Sequence, residues 1–266
     1  MSLGPHELRL RPREDYGLRI ESSLLTITPP ATLRWHRDVE GNSVAIAVFD
    51  SSSNQLVVES NVVIQQFNEA PLDFLVAEYA IDYPFTYEPD ENIMLTPYRA
   101  SPDKKTRNNL AEWMGSFWRA GEPIQTYTVL HRICTHIYQT LSYQLREAPG
   151  VQSAAQTLSM GSGSCRDFAV LFMEAARCLG IASRFVSGYL HTQPTTTNPG
   201  ATHAWAEVYL PGAGWKGFDP TIGSIVGTDH IAVAVARSPE SIPPIAGTFV
   251  GPQESSLEVG VWVHAC

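Results

Sequence analysis

Apolar and polar positions alternate with a period of two along roughly the first 85 residues, the signature of half-buried strands. His6 to Arg11 alternates in this way, and Leu18 to Ile27 repeats the pattern until Pro29-Pro30 stops it. Thr32-Leu33-Arg34-Trp35 follows. Gly41-Asn42 then marks a turn before Val44 to Phe49, and Ser51 to Asn54 marks another before Leu56 to Ser60 and Val62 to Ile64. Short runs with turn signals about every ten residues predict an antiparallel sandwich-like unit. A proline-marked, irregular stretch from Pro71 to Pro102 comes next, with a short helix expected around Leu72 to Ala80.

Beyond it the period changes to that of a helix. Leu110, Trp113, Met114 and Phe117 form one stripe in a helix over 103–120, closed by Gly121. Leu130, Ile133, Cys134, Ile137 and Leu141 form a second over 126–141. A third helix starts near Cys165 and ends at Leu179-Gly180, with Gly180 as the residue just past its end. Strands are then expected at Ser183–Leu190, His203–Leu210, Gly214–Phe218, His230–Ala236 and Leu257–His264. The fold class is therefore α+β: an N-terminal antiparallel β-sandwich-like domain over residues 1–87, then helices packed on an antiparallel sheet over 88–266. Trp113 is assigned to the core and Trp118 to a contact with another domain.

Composition narrows the function. With 18 basic against 27 acidic residues, the net charge of -9 disfavours nucleic acid and anionic lipid as partners. No apolar run is long enough for a membrane span or a signal core, so no membrane partner is expected. Four cysteines stand at 134, 165, 178 and 266 without a CxxC pair, which favours free thiols in a reducing compartment, hence the cytoplasm. No glycine loop placed to cradle phosphate joins a strand to a helix, so no nucleotide and no other cofactor is expected. His131, Cys134 and His136 do not share one helix face and form no metal site. Glu88, Asp90 and Glu91 lack the spacing of a calcium loop and read as a solvated loop.

Chemistry concentrates at Gly161-Ser162-Gly163-Ser164-Cys165-Arg166-Asp167-Phe168. Ser164 is the expected N-cap and Cys165 the first helical residue. Unpaired N–H groups and the positive end of the helix dipole favour a thiolate there, and the same N–H groups can receive an oxyanion. A thiol also needs a base, and the base an orienting group. His203 opens a strand with Trp205, Glu207 and Tyr209 on its face, suited to a partly open cleft. A hairpin closed by Pro211 to Gly214 returns Asp219 toward His203, where it can accept the imidazole N–H. Arg166 and Asp167 are either supporting groups or a surface pair.

Four blocks together resemble the bacterial transglutaminase-like family, whose core is similar to the papain-type cysteine protease fold. They are Gly163-Ser164-Cys165-Arg166-Asp167-Phe168-Ala169, Gly180 to Tyr189, Thr202 to Tyr209, and Gly214 to Thr221. The resemblance places the nucleophile on Cys165, the base on His203 and the third member on Asp219. It extends to an N-terminal β domain at Gly4-Pro5-His6 and Asp38 to Asn42, lacking that domain's usual first strand, and to the tail from Asp229 to Gly247. It implies a cysteine-dependent hydrolase or acyltransferase acting on amide bonds of a peptide or protein substrate through a thioester. Water and an amine both remain open as acyl acceptors. Tyr143 and Gln156 lie where a second oxyanion donor is expected. The alternative is a peptide-binding or scaffolding protein on the same fold, without turnover.

Overall fold

In the computed structural model, residues 1–67, 70–100, 102–146, 148–191, 202–251 and 256–264 are described; Cys266 lies outside them. The N-terminal part contains β1 (Ser2–Leu8), β2 (Leu18–Thr28), β3 (Ala31–Arg37), β4 (Ser43–Phe49) and β5 (Val57–Gln66). After a short bridge strand β6 (Asp82–Tyr83) come α1 (Pro89–Leu95) and α2 (Lys104–Met114). Then follow β7 (Ile124–Gln125), α3 (Thr126–Thr140), β8 (Ser142–Tyr143), α4 (Ala154–Met160), β9 (Ser162–Gly163) and α5 (Cys165–Cys178). The chain continues through β10 (Ser183–Leu190), β11 (Thr202–Leu210), β12 (Gly214–Asp219), β13 (Ser224–Ile225), β14 (His230–Ala236) and β15 (Ile245–Val250). The α+β class is as expected.

Sheet order β15-β1-β4-β3 and the ribbon β2-β5 make two facing layers. Leu8, Ala45 and Ala47 of the first layer are buried against Leu25, Ile27 and Val58 of the second. β1 starts earlier than the alternation suggests, because a register break between Leu3 and His6 absorbs Gly4-Pro5. The last strand also differs. Ile245–Val250, not Leu257–His264, joins a sheet, and it covers the outer edge of β1.

The second sheet runs β13-β12-β11-β10-β14. Ala204, Ala206, Val208 and Leu210 turn one face of β11 toward the helices and are buried with Phe168, Leu171 and Phe172 of α5. Small alanines let α5 lie close to the strand. Phe172 stacks on Phe218 at 5.3 Å, which ties α5 to β12 at the residue before Asp219. The other face of β11 is less open than expected: Trp205 is fully buried with Val186 and Val235, and Tyr209 packs on Tyr87.

Three helical expectations shift. Residues 72–77 carry no helix, and only a 3-10 turn forms at Glu78–Ala80. α2 begins after its cap, where Asp103 Oδ1 accepts from Lys105 N at 2.8 Å, but it stops before Gly115 and not at Gly121. Trp118 therefore leaves the helix, becomes buried and meets Tyr83 edge-on at 5.6 Å, while Trp113 sits at the core margin against Phe117 and His136. Trp118 is thus a member of the same core that Trp113 packs against, not a contact with another domain. Glu88 ends the loop at the residue before α1 without a side-chain cap, while Asp90 and Glu91 are helical and occupy its first turn, where carboxylates suit the dipole.

β14 is the terminal strand of its sheet, and a bare strand edge would invite pairing. Polar groups of the N-terminal layers cover it. Asn42, fully buried, accepts from Val235 N at 2.9 Å and donates to Val235 O at 2.8 Å, as a paired strand would. Arg13 N donates to Ala232 O at 2.8 Å, and Gln66 Nε2 donates to Thr228 O at 2.9 Å. Asn42→Ala strips both partners from a buried peptide group, so urea unfolding should show a loss of about 3 kcal/mol. A loss below about 0.5 kcal/mol, within the range of ordinary surface changes, would contradict this role of Asn42.

Candidate active site

The glycine-serine approach to α5 folds as its residue types dictate. Asp167 Oδ2 reaches back to Ser164 N at 2.8 Å and Ser164 Oγ at 2.7 Å, fixing the first turn. Gly163 permits this closure, since a Cβ there would sit 2.9 Å from the Asp167 Cβ. Cys165 is the first helical residue, half-buried and a free thiol. Its neighbours are not a surface pair. Asp167 is buried and accepts from Arg146 Nε at 2.9 Å and Gln152 N at 2.7 Å, while Arg166 Nη2 donates to Arg146 O at 3.0 Å. Both residues therefore fasten the segment before α4 onto the helix start.

The hairpin of β11 and β12 pairs Leu210 with Gly214 and Ala206 with Phe218. That register brings Asp219 level with Trp205 and within reach of His203, on the same face two residues along. His203 Nε2 lies 2.6 Å from Asp219 Oδ2. Cys165 acts on the same ring, where its hydrogen bonding and charge favour the protonated imidazole. The structure thus brings Cys165, His203 and Asp219 together in one chain of contacts.

Asp219 is fully buried, and three donors meet its carboxylate. Thr221 N donates to Oδ1 at 2.8 Å, and His230 Nε2 lies 3.0 Å from Oδ2, the oxygen that His203 also uses. Burial alone would raise the Asp219 pKa, but the hydrogen bonds with His203 and His230 outweigh it and hold the carboxyl well below its usual range. For His203, burial acts to lower the pKa, while hydrogen bonds to Asp219 and Cys165 and their charges push it up to about 9. His230 is the residue that sequence reasoning missed. The available signal was a histidine heading an apolar strand, eleven residues past Asp219.

Other candidates sort by contact. Gln156 does not face the thiol: its Oε1 accepts from Ser153 N at 2.9 Å, closing the capping box of α4. Tyr143 pairs with Gly163, and burial together with the nearby Cys165 sulfur pushes its phenol up. Cys134 is buried with its thiol toward Ser224 O at 3.6 Å, His131 stacks on Tyr127, and His136 lies against Phe117, three separate neighbourhoods. His203, Asp219 and His230 bring three possible metal-ligand atoms within 4.8 Å of one another. A separation of 2.6 Å between the His203 nitrogen and the Asp219 oxygen is that of a direct charge-assisted hydrogen bond.

These shifts set a pH dependence of stability. The raised His203 contributes stability that is complete below its ordinary 6.5 and is lost as pH rises through about 9. The lowered Asp219 contributes above its ordinary 3.8 and loses that contribution only on further acidification. Urea unfolding free energy should therefore fall between pH 6.5 and about 9, and His203→Gln should flatten that limb. A wild-type curve level across this interval would contradict the assignment.

Residues 120–220 match the profile of the Transglutaminase-like superfamily, and residues 1–65 match that of the Bacterial transglutaminase-like N-terminal region. An uncharacterized protein of Mycobacterium tuberculosis is 33% identical over 141 residues, which is 48% of this chain and 44% of that protein. An uncharacterized protein of Mycobacterium leprae is 34% identical over 117 residues, covering 42% of this chain and 41% of its own. The matched stretch thus spans less than half the length of these curated relatives. The crystal structure of a candidate cysteine protease from Cytophaga hutchinsonii superposes with a TM-score of 0.71 at 17% identity, over 99% of this chain and 90% of that one, and so shares its fold.

Proposed function

We propose that this chain, which belongs to the bacterial transglutaminase-like family, is a thiol enzyme that transfers acyl groups from amide bonds of a peptide or protein. One observation carries the reading: a cysteine at the first position of a helix lies close enough to favour the protonated form of an imidazole whose Nε2 is 2.6 Å from a buried carboxylate. Such an arrangement stores the thiol proton on the imidazole and leaves the sulfur as the nucleophile.

In this reading Cys165 Sγ attacks the amide carbonyl while His203 holds the proton. The carbonyl oxygen becomes an oxyanion, received by the N–H groups at the start of α5 and by Tyr143 at the rim. His203 then gives its proton to the leaving amine, the C–N bond breaks, and a thioester remains. Asp219 keeps the imidazole in the orientation that serves both steps. Water, activated by His203, releases the acid and restores the thiol. We favour water over an amine because Cys165 is partly exposed and water can reach the thioester. The thiols of Cys134 and Cys165 suit a reducing compartment such as the cytoplasm.

Incubation with a peptide library followed by intact-protein mass spectrometry tests this reading, through a trapped thioester or through cleaved or cross-linked peptide. Cys165→Ala should abolish product without lowering the unfolding midpoint. Asp219→Asn should slow turnover by a smaller factor than Cys165→Ala, since it removes orientation and charge and not the nucleophile. A Cys165→Ala protein that still turns over peptide would end the proposal. A wild-type protein that binds peptide but never releases product would favour a scaffold.

A further inference from the structure

His230 has no part in the reaction steps above, yet it touches the group on which they depend. It heads β14, is buried, and puts Nε2 3.0 Å from Asp219 Oδ2. Its other nitrogen has a fixed task. Gly227 N donates to His230 Nδ1 at 3.3 Å, which makes Nδ1 an acceptor and leaves the ring hydrogen on Nε2, aimed at the carboxylate. Trp205 holds the ring from the side, edge-on at 5.1 Å. Gly188 makes room for that packing: a Cβ there would stand 2.3 Å from Ile231 O and 2.6 Å from the Trp205 ring. The backbone is held as well, by Gln66 Nε2 donating to Thr228 O at 2.9 Å and His230 O at 3.3 Å.

We infer that His230 is a positioning residue, whose Nε2–H keeps Asp219 Oδ2 ionised and aimed at His203. The inference rests on the thiol-enzyme reading and deepens it. A buried carboxylate with too few donors takes up a proton, and a protonated Asp219 cannot stabilise the imidazolium. The groups facing His230 are Asp219 on β12 and His203 and Trp205 on β11. Cys134 on α3 interacts electrostatically with Asp219, and Asp229 beside His230 is paired outward with His191. No lysine or arginine side chain pairs with the carboxylate among the described residues. Through Gln66 and Asn42 the N-terminal layers hold β14, so they also hold this histidine.

The test is the pH profile of Cys165 alkylation by iodoacetamide, read by peptide mass spectrometry on the full chain, which needs no known substrate. Wild-type Cys165 should label faster than Cys134 and Cys178 at pH 5. His230→Leu should slow labelling at pH 5 about tenfold, one pH unit of displacement of the acid limb, with rates at pH 8.5 within about twofold. His230→Gln, whose amide can reach where Nε2 stood, should restore the limb. A merely structural role would slow or speed labelling at every pH. If the leucine variant does not fold, His230→Asn, whose amide stops short of the carboxylate, replaces it against the glutamine variant. Slow wild-type labelling, equal to that of Cys178, overturns the thiol-enzyme reading and this inference with it. A fast wild-type cysteine whose acid limb does not move in the variants overturns this inference alone.

Discussion

A negative charge without water is the constraint around which this site is arranged. Asp219 is fully buried, and an isolated carboxylate there would simply be protonated. Thr221 N, His203 and His230 supply the donors that prevent it. The buried charge then acts on its surroundings. It draws the His203 imidazole toward its protonated form, and the Cys165 sulfur acts in the same direction. The electrostatics run from carboxylate to imidazole to sulfur, across β12, β11 and the start of α5.

Those elements must be held to within fractions of an ångström for the links to persist. Three devices do so. Phe172 and Phe218 stack across the interface of α5 and β12, which sets the helix start against the hairpin. Asp167 fastens the first turn of α5 to the segment carrying Arg146 and Gln152. The N-terminal layers close the edge of β14 through Asn42, Arg13 and Gln66. The N-terminal unit is thus joined to the strand that delivers His230. The tail strand β15 strengthens the union by pairing with β1.

Local chemistry was legible from residue types alone. Ser164 before Cys165 predicts the helix start, and the return of Asp219 follows from the turn at 211–214, because both depend on neighbours within a few residues. Non-local features were not. β15 is largely exposed and pairs with the opposite end of the chain, so its pattern carries little periodic signal. α4 spans only Ala154–Met160, shorter than the window in which a helical stripe can be counted, and its capping box claims Gln156 for the backbone. Trp118 stands five residues from Trp113, and only the early end of α2 turns it inward. His230 looks like any strand residue until the sheet order places β14 beside β10 and the ring beside Asp219.

The central claim is that the buried carboxylate and the cysteine sulfur together hold a proton on His203. Its direct measurement is an NMR titration of the His203 ring, with isotopically labelled histidine, in wild-type protein and in Asp219→Asn. The account predicts a wild-type midpoint near 9 that falls markedly in the variant. A midpoint near the ordinary 6.5 in both proteins would contradict it.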